Sequence, residues 1–423
     1  MRFAALPGFR DAYPDAFARR RRIFGVWRSV AERYGFEEYD GPPLEPLDLY
    51  TAKSGEEIVD QLYAFTDKGG RQVALRPEMT PTLARMVGAR AQQLKKPIRW
   101  FTIPQLFRYE RQQRGRQREH FQLNVDIIGE SSPAADAEVI AVAIEIVRAL
   151  GFGPEHVRAR VSDRRVLAEA LTTGMGVLEH ELPGVLAAFD RYEKSREAAE
   201  AALDTVFAGD TKRAHAVRQF GAALGDSAGL MAQPAAEPLK TCLGHLEALG
   251  LREYVDVDFR VVRGLAYYTG IVFELFDAKQ SLRAICGGGR YDTLIQSLGG
   301  PELPCVGFGM GDVVLGELLT DRDGPPAADP SVDVFVVLVR EEERVAALAL
   351  VRALRDRGLR VEYALKRQAV GKQLELANAR GGAWAVIVGP DEYAVGQAVV
   401  RSLKSGTETK VGLDALRDTY AFK

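Results

Sequence analysis

Between Phe107 and Gly129 the chain reads FRYERQQRGRQREHFQLNVDIIG, and two kinds of chemistry lie side by side in it. Arginines stand at 108, 111, 114, 116 and 118 around a single glycine, Gly115. An arginine offers a planar fork of donors suited to phosphate and carboxylate oxygens. Several on one hairpin repel one another unless an anion collects there. Directly after them, His120, Gln122, Asn124 and Asp126 alternate with Phe121, Leu123, Val125 and Ile127. A period of two puts the polar set on one face of a strand and the apolar set on the other. That pattern suits a half-solvated antiparallel strand. It equally suits the polar floor of a ligand site, and a basic hairpin opening onto such a floor is what a nucleotide polyphosphate needs.

Other stretches carry related chemistry. In LRPEMTPTLARM, residues 75–86, Arg76, Glu78 and Thr80 occupy alternate positions stiffened by Pro77 and Pro81. A carboxylate with a hydroxyl nearby can bind an ammonium group. The same residues also read as a helix entry, with Thr80 as N-cap before Pro81. In VVRGLAYYTGIVFE, residues 261–274, Arg263 precedes Tyr267 and Tyr268. Those tyrosines suit either a core or a ligand contact, since a buried hydroxyl needs a partner. AICGGGRYDTLI, residues 284–295, places a glycine triplet before Arg290 and Asp292. Its glycines allow close approach of backbone to a ligand, or simply a tight turn. It does not match the phosphate-binding loop GxxxxGK[ST]. CVGFGMGD, residues 305–312, repeats the theme with glycines at 307, 309 and 311. The run Arg19–Arg22 reads as a solvated helix face with some potential for RNA or phosphate contact.

These residues need a scaffold, and the rest of the 423-residue chain outlines one. At ~100–200 residues per domain, two or three domains are expected. Hydrophobic content of 47% and charged content of 27% are ordinary for a soluble globular protein, and the net charge of −2 excludes bulk basic character. Any nucleic-acid contact must therefore use local patches. Three cysteines without zinc spacing, and five scattered histidines, favour a reducing compartment and no protein-built metal site. The N-terminus lacks a signal-like apolar region, and no run of ~18 apolar residues occurs, so a soluble cytoplasmic protein without membrane partners is expected.

Segments PIRWFTIPQLFRYE, HFQLNVDIIG, VDFRVVRGLAYY and GIVFELFD are rich in strand formers and suggest an antiparallel sheet. An Ala- and Leu-rich stretch over 162–250 has helical spacing and interrupts it. DRDGPPAADPS, 321–331, is a linker by composition. Beyond it, VDVFVVLV, a helix, LRVEYAL, a second helix, WAVIVG and QAVVRSL give the rhythm of a small, mostly parallel α/β domain over 332–423.

Taken in order, these motifs resemble those of the histidyl-tRNA synthetases, which are class II aminoacyl-tRNA synthetases. GFEEYDGPPLE resembles the first class II motif, FRYERQQRGRQREHFQLNVD the second and GFGMGDVVL the third. RGLAYYTG and GGGRYD resemble two signatures of the histidine enzymes, and the last domain resembles their anticodon-binding domain. The resemblance implies an α+β fold: a class II antiparallel sheet with flanking helices over 1–161 and 251–320, a helical insertion over 162–250, a linker at 321–331, and an α/β anticodon-binding domain over 332–423. It also implies a homodimer.

By the same resemblance, L-histidine and ATP are joined as histidyl-adenylate with release of pyrophosphate, and the histidyl group passes to histidine tRNA. Arg108 grips the α-phosphate and the reacting carboxylate, Glu110 sits by the adenine, and Arg116 lies near the terminal phosphates. Arg263 supports the α-phosphate. Glu78, Thr80 and Gln122 hold the histidine ammonium, while Asp126 and Tyr268, beside Tyr267, read the imidazole. Mg2+ bridges phosphate oxygens, with no metal held by the protein alone.

The sequence departs from the family pattern at three positions. Ala266 and Asp126 stand where Asp and Glu are frequent, and Val314 occupies the position of the third-motif arginine. Either Arg116, Arg290 or another cation then serves the ATP tail, or ATP is held differently. A non-catalytic paralogue, such as a regulatory subunit of ATP phosphoribosyltransferase, is the alternative expectation. The intact RGLAYYTG signature and the C-terminal domain weigh against it, and no motif of the class I synthetases is present.

Overall fold

The computed structural model describes residues 3–51, 60–110, 115, 117–192, 195–225, 227–263, 267–279, 281–324 and 332–422. The chain divides into two compact units, one drawn from 1–11 and 19–324, the other from 12–18 and 325–423.

Strands of the first unit are, in chain order, β1 (Glu37–Glu38), β2 (Leu44–Pro46), β3 (Ala64–Thr66), β4 (Gln72–Leu75), β5 (Ile98–Thr102), β6 (Gln105–Phe107), β7 (Glu119–Ile128), β8 (Val157–Asp163), β9 (Val255–Val257), β10 (Ile271–Asp277), β11 (Cys286–Arg290) and β12 (Cys305–Gly311). Among the described residues β2, β4 and β3 form a small sheet of their own. The others form a nine-stranded sheet ordered β1-β5-β7-β12-β11-β10-β8-β9, with β6 also on β7. Its central pairings are antiparallel; β1 with β5 and β8 with β9 are parallel.

Alternation over 120–127 determines how this sheet sits. Leu123, Val125 and Ile127 are buried in the main core with helices α1 (Pro14–Arg33) and α3 (Pro133–Ala149). α1 contributes Ile23, Trp27, Val30 and Ala31, which recur at helical spacing. The Trp27 indole N–H donates to the Met310 sulfur at 3.3 Å and ties α1 to β12. The opposite face, bearing Gln122, Asn124 and Asp126, is flanked by α2 (Thr80–Arg90), whose Leu83, Ala84 and Val87 pack with Tyr268, Val272 and Tyr291.

Helices Arg164–Glu169, Leu182–Arg191, Arg196–Val206, Thr211–Ala223, Ala228–Met231 and Glu237–Ala248 follow β8. The helical stretch starts at 164 rather than 162 because Asp163 ends β8 as an N-cap, accepting from the Arg165 N–H at 2.9 Å. Of VDFRVVRGLAYY, residues 257–268, only Val257 is strand among the described residues, as the last residue of β9. Asp258 then turns the chain by pairing with Arg160 and Arg260, and Arg263 takes a φ of 60°, which no strand tolerates.

In the second unit, β13 (Val334–Leu338), β14 (Val361–Tyr363), β15 (Trp384–Val388), β16 (Gln397–Ser402) and β17 (Glu408–Gly412) form a sheet ordered β14-β13-β15-β16-β17. β13 is parallel to both its neighbours, while β16 and β17 are antiparallel. β13 is apolar throughout because both faces are covered. Val334, Val336 and Leu338 pack with Leu350 and Leu354 of helix Arg344–Asp356, and Phe335 and Val337 with Ala377 of helix Val370–Ala379.

Candidate functional site

The polar face of the central sheet is made by register. Asp126 lies opposite Gly307, Asn124 opposite Gly309 and Gln122 opposite Gly311. Gly309 in turn lies opposite Gly287, and Gly307 opposite Gly289. On this face β11 therefore presents Gly287 and Gly289, and β12 presents Gly307, Gly309 and Gly311 after Cys305, and the reason for the glycines is space. A Cβ on Gly307 would come within 2.8 Å of the Asp126 Cγ, one on Gly309 within 2.8 Å of the Gln122 Cδ, and one on Gly287 within 2.6 Å of the Arg263 Cζ. The glycines let these three side chains lie flat on the sheet.

At one end of the face stands a buried cluster. Asp126 accepts a hydrogen bond from the Tyr291 hydroxyl at 2.5 Å. Burial pushes its carboxyl up to about 7, against the opposing effect of that bond. The Tyr39 hydroxyl is buried with no hydrogen-bond partner among the described residues. Burial and then the Asp126 charge hold its pKa well above the usual value. Tyr267 donates to Glu78 at 3.4 Å, and its hydroxyl is also bonded to Thr80. The helix-entry reading of Thr80 is corrected here: Met79 takes the cap position and α2 begins at Thr80. Its hydroxyl serves Tyr267 instead. Tyr267 packs on Tyr268 with ring centroids 5.0 Å apart.

Further along, Gln122 donates to Asn124 at 3.0 Å and is bonded to His120. His120 is held down to about 3, first by burial and then by the Arg108 charge, so it is neutral at physiological pH. Arg108 is steered by the Pro77 carbonyl, which accepts from its Nε at 2.9 Å. Glu110 is buried at the hairpin mouth. Arg263 is fixed by an ion pair with Glu274, which β10 places on the same face, and lies over the Tyr268 ring at 5.8 Å. Burial alone would lower its pKa; Tyr268 and Glu274 outweigh it and raise it. Its Nε is buried without a hydrogen-bond partner among the described residues.

Glu78, Thr80, Asp126, Tyr267 and Tyr268 thus gather at one end, with Gln122, Arg108, Glu110 and Arg263 at the middle and mouth. Arg116 lies outside the described residues, as does Ala266. Arg290 needs correction. It pairs with Val306 on β12 and so points to the helix side of the sheet, not the polar side. There it is buried against Asp136 of α3, with an Nη2–Oδ2 distance of 2.5 Å, and donates to the Glu130 and Ser132 carbonyls. That arginine braces α3 to the sheet; it does not reach a ligand over Asp126. Arg10 and Arg20 are likewise paired to protein, through Asp312. Asn124, read from sequence as part of the polar face, completes the site together with Tyr291, Glu274 and Tyr39, which were not singled out from sequence. A period-two reading of IVFELFD puts a lone Glu274 among apolar neighbours, a legible signal; nothing local marks Tyr39.

An antiparallel sheet with a basic hairpin, a glycine-cleared polar face and an arginine held over it is the architecture of the class II aminoacyl-tRNA synthetases. A family model described as histidyl-tRNA synthetase matches residues 8–311, and one described as anticodon binding domain matches 333–420. The histidine–tRNA ligase of Opitutus terrae is 47% identical over 97% of this chain and 96% of its own. That of Haloarcula marismortui is 39% identical over 99% of this chain and 98% of its own. Among solved structures, the histidyl-tRNA synthetase of Nostoc sp. PCC 7120 superposes with a TM-score of 0.81 at 24% identity, covering 99% of both chains, and supports the fold. The chain belongs to the histidyl-tRNA synthetase family.

Proposed function

We infer that the protein is a histidine–tRNA ligase that joins L-histidine to ATP on the polar face and then to histidine tRNA. The observation that carries this reading is the buried Asp126–Tyr291 pair beside the orphan Tyr39 hydroxyl. A ligand with two ring nitrogens suits such a cluster, because a wrong side chain leaves buried polar groups unpaired. Asp126 accepts one imidazole N–H, and Tyr268 lies at the other nitrogen. Glu78, Thr80 and Gln122 take the ammonium group, and Tyr267 fixes Glu78 and Thr80.

The histidine carboxylate oxygen attacks the α-phosphorus of ATP. The bond from that phosphorus to the bridging oxygen breaks, and pyrophosphate leaves with its electron pair. Arg108 holds the carboxylate and α-phosphate together, and Arg263 meets the charge that grows on the α-phosphate oxygens. This is catalysis by positioning and electrostatics, with no covalent enzyme intermediate. Glu110 lies at the adenine end. Magnesium arrives with the triphosphate as substrate and neutralises its oxygens. Among the described residues no group of three His, Cys, Asp or Glu side chains is gathered to hold an ion. The terminal ribose hydroxyl of the tRNA next attacks the carbonyl carbon of the adenylate, and AMP leaves.

The unit containing 332–422 takes the anticodon, and the working form is a cytoplasmic homodimer. Among the described residues no helix is long and apolar enough to cross a membrane. The test is charging: with ATP, magnesium and histidine tRNA, labelled L-histidine becomes attached to the tRNA. Adenylate formed without charging would confine the protein to the first half of this reading.

A further inference from the structure

The polar end of the sheet contains one hydroxyl to which the proposed reaction gives no task. Tyr39 follows β1, and its N–H donates to the Phe101 carbonyl at 2.9 Å, which extends the pairing of β1 with β5. Those strands are parallel, with Glu37 opposite Trp100. Two residues on, Tyr39 returns to the Trp100 face. Trp100 in turn lies opposite Asp126 on β7. Ring packing agrees with this register. The centroids of Tyr39 and Trp100 are 5.3 Å apart, and both rings pack against the cluster that holds Tyr268 and Tyr291. Tyr39 therefore comes to Asp126 from the β5 side of β7, whereas Tyr291, which follows β11, comes from the β12 side.

The Tyr39 ring is partly exposed, yet its hydroxyl is buried and has no hydrogen-bond partner among the described residues. A buried hydroxyl in that state calls for a physical reason. Three charged groups act on it, Asp126, Asp40 and Arg76, and the last two pair with each other at 2.9 Å. Burial and then the Asp126 charge keep the phenol protonated, so it is a donor. Asp126 takes one hydroxyl, that of Tyr291, through Oδ1. A carboxylate accepts at several lone-pair positions, so one such bond leaves it room for a second hydroxyl. The reason for the orphan is then a contact that forms only with substrate in place.

We propose that Tyr39 is a specificity-determining residue of the histidine pocket, whose hydroxyl gains the Asp126 carboxylate as its partner when the imidazole N–H docks against that carboxylate. This deepens the ligase reading and rests on it. Tyr39 touches no reacting atom; it positions Asp126. With Tyr291 on one side and Tyr39 on the other, the carboxylate is held where a ring N–H must meet it. A side chain without that N–H leaves Asp126 and Tyr39 unsatisfied and is rejected.

The test compares Tyr39→Phe with the unaltered protein, and Tyr39→Phe/Asp126→Asn with Asp126→Asn. Phenylalanine keeps the ring on Trp100 and removes only the hydroxyl. The KM values for histidine and ATP are taken from histidine-dependent ATP–pyrophosphate exchange, histidine affinity from calorimetry, and the midpoint of unfolding from urea titration. Loss of a hydrogen bond to a charged group raises the KM and dissociation constant for histidine by ~10-fold. The KM for ATP stays within about twofold, and the unfolding midpoint does not fall. In the Asp126→Asn background the effect of Tyr39→Phe on histidine shrinks to about threefold or less, because the charged acceptor is gone. Unchanged histidine binding in Tyr39→Phe overturns the proposal and leaves the ligase reading standing. So does an undiminished effect in the Asp126→Asn background, since the hydroxyl would then have another partner. A parallel rise in both KM values with a lower midpoint overturns it too, because the residue would act on the fold. Absence of exchange in the unaltered protein would instead remove the ligase reading and this proposal with it.

Discussion

Replacing Gly287 by alanine isolates the role of the glycine-cleared face. A Cβ there would lie 2.6 Å from the Arg263 Cζ and 3.0 Å from its Nη2, and its three nearest atoms all belong to that one guanidinium. Ordinary contact begins at 3.4 Å, so the guanidinium must retreat by about 1 Å. Because a flexible side chain yields and no backbone is struck, the folding cost stays at the low end of the ~1–3 kcal/mol of an overpacked core. The catalytic cost is larger. A displacement of about 1 Å in a group that meets transition-state charge costs on the order of 100-fold in rate, or roughly 2.7 kcal/mol.

Gly288, one residue on, provides the contrast. Its Cβ would meet Phe308 Cβ at 2.5 Å and Phe308 Cα at 2.7 Å, and would strike the Gly307 carbonyl. Gly288→Ala should therefore lose stability at or above the ~1–3 kcal/mol range before it loses anything specific. The assay is pre-steady-state adenylate formation alongside urea unfolding, with Arg263→Ala as reference. Gly287→Ala should approach the reference in rate while unfolding near the wild-type midpoint. A wild-type rate in Gly287→Ala, or a rate loss only in proportion to lost folded protein, would refute the reasoning.

Two further outcomes follow from the corrected and the buried charges. Arg290→Ala leaves Asp136 buried without its partner, so unfolding free energy should fall by ~3–5 kcal/mol while the KM for ATP of the folded fraction stays at the wild-type value; a raised KM at unchanged stability would return Arg290 to the ATP site. Asp126 has a folded-state pKa of about 7, raised above the ordinary carboxylate value. Its contribution to stability is therefore full below pH ~4 and is lost as pH rises through about 7. Wild type should lose stability relative to Asp126→Asn between pH 5 and 8, measured by urea titration. Over the same range its advantage in kcat/KM for histidine should grow as the carboxylate forms. A pH-independent difference between the two proteins would mean Asp126 does not titrate in this window.

The alternation of His120 to Asp126 could be read directly because a strand buried on one face must carry its polar set on the other. The second unit was legible for the complementary reason, as β13 is apolar on both faces and both are covered. Arg290 shows what such reading lacks. Its neighbours Gly287 and Gly289 face the ligand side, but parity along β11 sends Arg290 the other way, and parity needs the register with β12. Tyr291 and Tyr39 reach Asp126 and its surroundings from distant parts of the chain, and no spacing rule connects residues 39, 126 and 291. Thr80 resembled a cap because Pro81 follows it; the bond to Tyr267 comes from a loop almost two hundred residues away, which local propensity does not register.

ATP–pyrophosphate exchange with magnesium, run with each of the amino acids in turn, tests the central claim most directly. The arrangement of Asp126, Tyr291, Tyr39 and Glu78 predicts exchange with L-histidine and background with the rest. Exchange driven by another amino acid, or none from a folded protein that still binds histidine, would contradict it.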